Sequence, residues 1–351
     1  MKKQQQRIAT LQLNPVRVGD VQANIQFIRD VLFSSAGTLR SLDLLVLPEM
    51  ITTGYRFSRS ADIHSLCEDT RDASLAPSLT FASEVAQHFH SYVIIGFAEK
   101  ATVPVTFTSN NGNISISPPF DARSPLDLSS TYSSTSRENA FYNSAALFDR
   151  SGALIHTFRK HFLYEDDKVW AQEGPGFQYV DLPDLGRLCV AICMDLNPYE
   201  FIAPFQAYEL ANFCRSHSVD ILAMPMAWLL SKEQAENGEV EEGDESSNAP
   251  PGEQDDSSPD INTISYWAIR CQPFRSLPRR TILIAANRTG SEGDATFAGS
   301  SCIMQFGRAP PNPAELPDSQ QGKDLDSDAS PPPTVLSSLG VRQRDVQVVT
   351  V

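Results

Sequence analysis

Three side chains of different chemistry stand at the ends of three apolar runs. "LLVLPE" closes on Glu49, "ALIHTFRK" on Lys160 and "LCVAIC" on Cys193, while a fourth run, "DILAMPMAW", closes near Trp228. In open sheets reactive groups collect where strands end, because the backbone stops there and side chains face a cleft. A free thiol titrates at about 8.5, so only a few per cent of it is thiolate at neutral pH and it needs help to attack. Glu49 beside Cys193 would take the thiol proton and return it to a leaving amine. Lys160 would donate to an oxyanion growing on an attacked carbonyl, and the backbone N–H of Met194, directly after the thiol, is a second donor. Such a set suits attack on an amide or nitrile through a thioester. Each residue also has an ordinary reading: a small buried thiol, a turn acid or helix N-cap, a surface lysine. Spacing alone does not bring the three together.

The elements that must position them repeat. "SLDLLVLPEM" (41–50) echoes "SVDILAMPMA" (218–227), and "RIATLQLNP" (7–15) echoes "RLCVAICMDLNP" (187–198). "YVIIGFAE" (92–99) resembles "TILIAANR" (281–288), and "NSAALFDRSG" (143–152) resembles "GSSCIMQFGR" (299–308), in the same order in both halves. Each is a short apolar run closed by Pro, Gly or Asn, as in strands buried on both faces. Between them, 20–36 and 77–90 place apolar residues three or four apart, a helical period. Residues 204–217 and 264–275 occupy the matching places of the second half, with Pro273 expected to end the latter helix. Two halves of this pattern predict an α/β fold, a four-layer α-β-β-α sandwich built by duplication.

Three segments interrupt the pattern. Residues 101–136 are rich in Ser, Thr, Pro and Asn; 232–260 and 309–333 are acidic and polar, and all three read as flexible surface insertions in a single domain spanning 7–351. The net charge of −15 belongs to them. Eleven acids against one lysine fall in 232–260 and five against one in 309–333, so the remainder is near neutral and the acidity says nothing about the substrate. No basic patch or glycine-rich phosphate loop argues for nucleic acid or nucleotide. No run approaches the roughly 20 apolar residues of a membrane span. The start, "MKKQQQRIATLQLNP", lacks the apolar stretch of a secretory signal, and six cysteines without a framework of spacings fit reduced thiols, so a cytoplasmic or nuclear location is expected. The six histidines show no metal-ligand spacing beyond a weak His88/His90 pair.

Taken together, "LPEM", "FRKHF" and "AICMD" resemble the nitrilase superfamily, whose members are duplicated α-β-β-α sandwiches with a Glu-Lys-Cys triad. The motifs map to Glu49, Lys160 and Cys193, and the likeness runs from 7 to 351 with the insertions removed. "AANRTGSEGDATFAGSS" and the closing strand are also similar. The resemblance implies a Cys nucleophile, a Glu base, an oxyanion-stabilising Lys, and no metal or organic cofactor. Many members carry a second glutamate that orients the lysine and the water; Glu173 before Pro-Gly is the first choice and Glu165 the alternative.

Within the superfamily, "RKHFLYEDDKVWAQEGPGF", "ICMDLNPYEFIAPFQAYELANFC" and "PMAWL" resemble the amidohydrolases that act on protein N-terminal Asn and Gln. That likeness implies conversion of the terminal residue to Asp or Glu with loss of ammonia, feeding the N-degron pathway, with proteins or peptides bearing N-terminal Asn or Gln as partners. Relatives that take free N-carbamoyl amino acids carry arginines just after the nucleophile to hold a carboxylate. Here "MDLNPYEF" has none, and the next is Arg215. A peptide substrate presents an α-ammonium instead, for which Asp166 and Asp167, with Glu165 beside them, and Asp195 are candidates, with Trp228 as a wall. The alternatives are an ω-amidase for a small free amide, expected to hold a cation in a closed pocket, and a catalytically dead interaction module, against which the intact trio argues.

Overall fold

In the computed structural model the described residues are 5–13, 17–72, 75–110, 113–117, 133–230, 257–307 and 331–351. The apolar runs are strands. In the first half they are β1 (Arg7–Gln12), β2 (Leu44–Val46), β3 (Tyr92–Asn110), β4 (Asn113–Ser117), β5 (Ser133–Phe148) and β6 (Leu154–Arg159). In the second they are β7 (Tyr179–Leu182), β8 (Gly186–Val190), β9 (Ile221–Pro225), β10 (Thr281–Ala286), a small ribbon of β11 (Ser291–Glu292) and β12 (Ala295–Thr296), then β13 (Cys302–Phe306), β14 (Thr334–Ser338) and β15 (Asp345–Thr350).

One sheet runs β15-β1-β2-β3-β5-β6, with β4 on β3; the other runs β7-β8-β9-β10-β13-β14. The two orders superimpose position by position. In each, three central strands are parallel (β1-β2-β3 and β8-β9-β10) and the flanking pairs are antiparallel. The fourfold echo in the sequence therefore marks four strands of a common six-strand order in each sheet, the first of which is completed by β15 from the second half.

The two sheets pack face to face. Ile8, Leu44, Val46, Ile94 and Leu147 of the first meet Leu188, Ile221, Ala223, Ile282 and Ile284 of the second in one buried cluster. Alternate residues point outward. Ala9, Leu45, Val93 and Ile95 take Ile25, Ile28 and Leu32 of α1 (Val21–Ser34) and Phe81, Ala82, Val85 and Ala86 of α3 (Pro77–Phe89), which follows the short α2 (Ser60–His64). On the far side Leu210, Ala211 and Cys214 of α5 (Glu209–Ser216) and Trp267 of α6 (Ile261–Arg270) cover the second sheet; α4 is the single turn Glu165–Lys168. The architecture is α-β-β-α. The helix expected over 264–275 begins three residues earlier, where the Asp260 carboxylate caps Asn262 and Thr263 N–H, and ends at Arg270, ahead of a separate 3-10 turn (Gln272–Phe274) holding Pro273.

Part of the first insertion is strand rather than loop. β3 continues to Asn110 and pairs with β5 from Ser133, the register running from Val93↔Phe148 to Thr108↔Ser133, with β4 alongside. "ATVPVTFTS" carries Thr, Val and Phe, which suit extended backbone, and this outweighs its polar character. The centre of that insertion, most of 232–260 and most of 309–333 lie outside the described residues. Among the described residues no helix is long and apolar enough to cross a membrane.

Candidate active site

Cys193 sits where β8 has ended and the chain turns. Ala191 still donates to Ala223 O (3.1 Å), but Cys193 has φ 42 and opens a 3-10 turn (Cys193–Leu196). A non-glycine residue in the left-handed region costs on the order of 1–3 kcal/mol and persists only where its surroundings enforce it. Asp195 does the enforcing. Its Oδ2 accepts Ile192 N–H (2.8 Å), and its Oδ1 accepts His161 N–H (3.0 Å) and Phe162 N–H (2.7 Å), so one buried carboxylate ties the nucleophile's turn to the segment after Lys160. With both oxygens taken and 2% exposure, Asp195 is not a binding group for a substrate ammonium, contrary to that expectation.

Glu49 leaves β2 through Pro48 and is fully buried. Its backbone lies hard against β3, where only a glycine fits: a Cβ on Gly96 would stand 2.5 Å from Glu49 Cα. Glu49 Oε1 accepts two hydrogen bonds, from Lys160 Nζ (2.7 Å) and from Asn143 Nδ2 (2.7 Å). Oε2 is buried and has no partner. The carboxylate is thus anchored by one oxygen and keeps the other free.

Lys160 follows β6, its N–H still bonded to Asn143 O (2.8 Å), and its ammonium is wholly enclosed. Nζ touches two acids, Glu49 and, at 2.6 Å, Asp167 Oδ2. The acid that orients the lysine is therefore Asp167, and neither Glu173 nor Glu165. Glu173 is exposed and accepts from the Tyr199 hydroxyl (2.9 Å), and Glu165 is exposed in the first turn of α4. The turn of α4 explains the choice. Tyr164 N–H caps onto Asp167 Oδ2 (3.0 Å), so of three consecutive acids the third swings inward, where Asn143 Nδ2 also reaches its Oδ1 (2.8 Å). Asp167, expected at the substrate ammonium, is instead buried against Lys160 and Asn143. Asp166 is half-buried, its carboxylate 3.5 Å from Arg56 Nε.

The electrostatics follow from burial. Burial raises the Glu49 carboxyl and the Asp167 charge adds to this, against the pull of Lys160 and Asn143. Burial pulls the Lys160 ammonium down, yet Asp167 and Glu49 outweigh it and hold it well above its usual range. Burial pushes the Cys193 thiol well up, the Glu49 charge adding, while Lys160 and the Ala227 N–H pull the other way. Burial thus favours the neutral thiol at Cys193, while the Glu49 carboxyl group keeps one oxygen without a partner and the Lys160 ammonium holds the other. A second buried pair, Arg288 with Glu292, joins the loop after β10 to this region: Glu292 Oε2 accepts Tyr55 N–H (2.8 Å) and Arg56 N–H (3.0 Å). "AANRTGSEG" held both residues of this brace without any sign of it.

Cys193 opens into a cavity of ≈ 670 Å³. Met194 and Ala227 line it beside the sulfur; Tyr55, Tyr164, Phe201, Trp228 and Tyr266 make aromatic walls, with Asn197, Asn262 and Thr263 as polar points. Trp228 lines this cavity, its ring 5.5 Å from that of Tyr266, which in turn donates to Asn197 Oδ1 (2.6 Å). Among the described residues that line it there is no lysine, arginine or histidine. The other cysteines are elsewhere: Cys189, Cys214, Cys271 and Cys302 are core, and Cys67 is half-buried. Among the described residues no group of His, Cys, Asp and Glu is placed to hold a metal ion.

Comparisons with known proteins give the family. Residues 7–209 match the carbon-nitrogen hydrolase family. A protein N-terminal amidase of Schizosaccharomyces pombe is 34% identical over 307 residues, which are 84% of this chain and 90% of that protein. One of Saccharomyces cerevisiae is 26% identical over 328 residues, 76% of this chain but 63% of that longer protein. The crystal structure of an N-terminal amidase with an Asn-Glu-Ala peptide shares the fold, with a TM-score of 0.70 at 21% identity over 99% of this chain and 97% of that one. The chain belongs to the carbon-nitrogen hydrolase family.

Proposed function

We propose that this chain hydrolyses the side-chain amide of Asn and Gln at the N-terminus of proteins and peptides, giving Asp and Glu with release of ammonia. The observation that carries the reading is the cavity: a buried thiol, aromatic walls and, among the described residues that line it, no cation to receive a free carboxylate. A free ω-amide such as glutamine carries a carboxylate that would find no partner there, whereas a peptide has none on its first residue. The likeness to the two N-terminal amidases points the same way. The products are new acidic N-termini, which matches the N-degron role that the resemblance implies.

In this reading Cys193 Sγ attacks the carboxamide carbon as its proton passes to the vacant Oε2 of Glu49. Lys160 has three N–H bonds and spends two on Glu49 and Asp167, leaving one for the oxyanion; Met194 N–H, at the cavity wall, supplies the other donor. Collapse breaks the C–N bond, and the amine leaves with the proton from Glu49 as ammonia. Water then adds to the thioester while Glu49 takes a proton, and the thiol departs. Asp166 receives the substrate ammonium. It is half-buried, and its charge adds to burial and to Glu165 in raising the Tyr164 hydroxyl on the cavity wall.

The test compares ammonia release from two peptides that differ only in free Asn versus acetyl-Asn at the N-terminus, with Cys193→Ala as the blank. Release from the free peptide alone, absent in the variant and weakly inhibited by free glutamine, supports the reading. Release from free glutamine in preference to the peptide moves the protein to the small-amide class.

A further inference from the structure

Asn143 is as buried as the three groups it serves, and no motif singled it out. It lies in β5, opposite Ala98 of β3, in a stretch that is otherwise small or apolar on the inner face. Its side-chain amide nitrogen bonds Glu49 Oε1 (2.7 Å) and Asp167 Oδ1 (2.8 Å) at once, its backbone carbonyl accepts the Lys160 backbone N–H (2.8 Å), and its side-chain Oδ1 is buried without a partner among the described residues. Exchanging the amide's oxygen and nitrogen would set an oxygen against two carboxylates, so only this orientation is admissible. The geometry assigns to Asn143 the part of a positioning residue for the base: it completes a ring in which two anions share one ammonium and one amide NH2, and it pins Glu49 by Oε1 so that Oε2 alone faces the reaction.

Lysine by itself does not do this. The Lys160 ammonium supplies one bond to Glu49, about which the carboxylate can swing, whereas a second donor on the same oxygen removes that freedom. The cluster also contains two carboxylates and one ammonium, an excess of one negative charge among fully buried side chains. The amide hydrogens are what lies between the two anions. Without them Glu49 holds its proton more readily, and a protonated Glu49 cannot accept one from the thiol. An amide clamp on a catalytic carboxylate therefore acts on kcat and on its pH dependence rather than on substrate affinity. The role rests on the proposed reaction only for the choice of substrate.

The test uses the full chain with Asn143→Leu, which keeps the volume and deletes the donors, and Asn143→Ser, which deletes the amide but leaves a polar group. Two rates are followed from pH 5 to 9: hydrolysis of the Asn-terminal peptide, and alkylation of Cys193 by iodoacetamide, which needs no substrate. Both variants are expected to lose roughly ten- to a hundredfold in kcat, the range for losing a hydrogen bond to a charged group. KM should stay within about twofold, and the acid limbs of both rate profiles should move up together by about one pH unit. A merely structural residue would lower the melting temperature and the active fraction but leave both limbs at the wild-type pH. That result, in whichever variant folds, overturns the assignment. Wild-type enzyme that is alkylated normally but inert on the peptide would overturn the substrate reading and leave the alkylation test of Asn143 intact.

Discussion

Asp167 Oδ2 stands 2.6 Å from Lys160 Nζ, as close as the Glu49 oxygen at 2.7 Å on the same ammonium. The lysine is thus held between two carboxylates, the second of them fully buried. Removing the charge but not the shape isolates that contribution. Asp167→Asn is expected to lower kcat roughly a hundred- to a thousandfold, as for the loss of oxyanion stabilisation, with little change in KM. Steady-state kinetics on a folded variant decides it, and a change confined to KM would return Asp167 to the substrate pocket.

Gly96 tests the placing of the base without touching a polar group. Its added methyl would meet Glu49 Cα at 2.5 Å and Pro48 O at 2.7 Å, both backbone, so the base must shift. Gly96→Ala should cost about 1–3 kcal/mol of stability from overpacking and reduce kcat by at least about tenfold, since misplacement on the order of 1 Å can cost a hundredfold. Denaturant unfolding and kinetics on the same preparation separate the two effects.

Asp195 predicts a different signature. Burial pushes its carboxyl up to about 6 against three N–H donors. Asp195→Ala strands the N–H groups of Ile192, His161 and Phe162, at about 1–3 kcal/mol for each buried donor left unpaired. Stability and kcat should fall together. A variant of wild-type stability with only a raised KM would show that Asp195 contacts substrate after all.

Buried thiols should set the alkaline limit of stability. Cys67 and Cys271 are pushed up to about 12 by burial, and Cys193, Cys214 and Cys302 are raised as well, so the folded chain keeps protons that the unfolded chain releases near pH 8.5–9. With more protons on the native state, stability falls as pH rises, up to about 1.4 kcal/mol per unit for each thiol. The contribution is complete below pH 8 and wanes from about 9 upward. Urea unfolding under reducing conditions at pH 7, 8, 9 and 10 should give a falling midpoint; a flat series would show that these thiols ionise normally in the fold.

The sequence carried the frame of this molecule better than its inner wiring. Apolar runs closed by Pro, Gly or Asn are strands because both faces of each sheet are covered, and their order repeats, so Leu44–Val46 and Ile221–Pro225 were legible as partners. β6 and β14, and the edge strands β7 and β15, lie at the margins, where burial and therefore pattern are weaker. Glu49, Lys160 and Cys193 were marked by ending such runs. Asp167 was visible but misassigned, since only the one-turn helix after Tyr164 decides which of Glu165, Asp166 and Asp167 faces inward. Asn143 gave one faint signal, an amide on the inner face of a buried strand, and nothing local says that two carboxylates meet there.

The pairing of β1 with β15, from Arg7 opposite Thr350 to Gln12 opposite Asp345, has a consequence for how the molecule comes into being. β1 is synthesised long before β15, so it must wait for that strand before its outer edge is closed. Until then β1 offers an open row of N–H and C=O groups, the kind of edge on which other chains assemble. Contacts this distant along the chain also form slowly. A nascent chain stopped just short of β15 would already contain the thiol, the carboxylate and the lysine, yet its first sheet would be unfinished. Completion of the first sheet therefore waits for β15 to be made, and it is in that interval that a chaperone, or its absence, would decide yield.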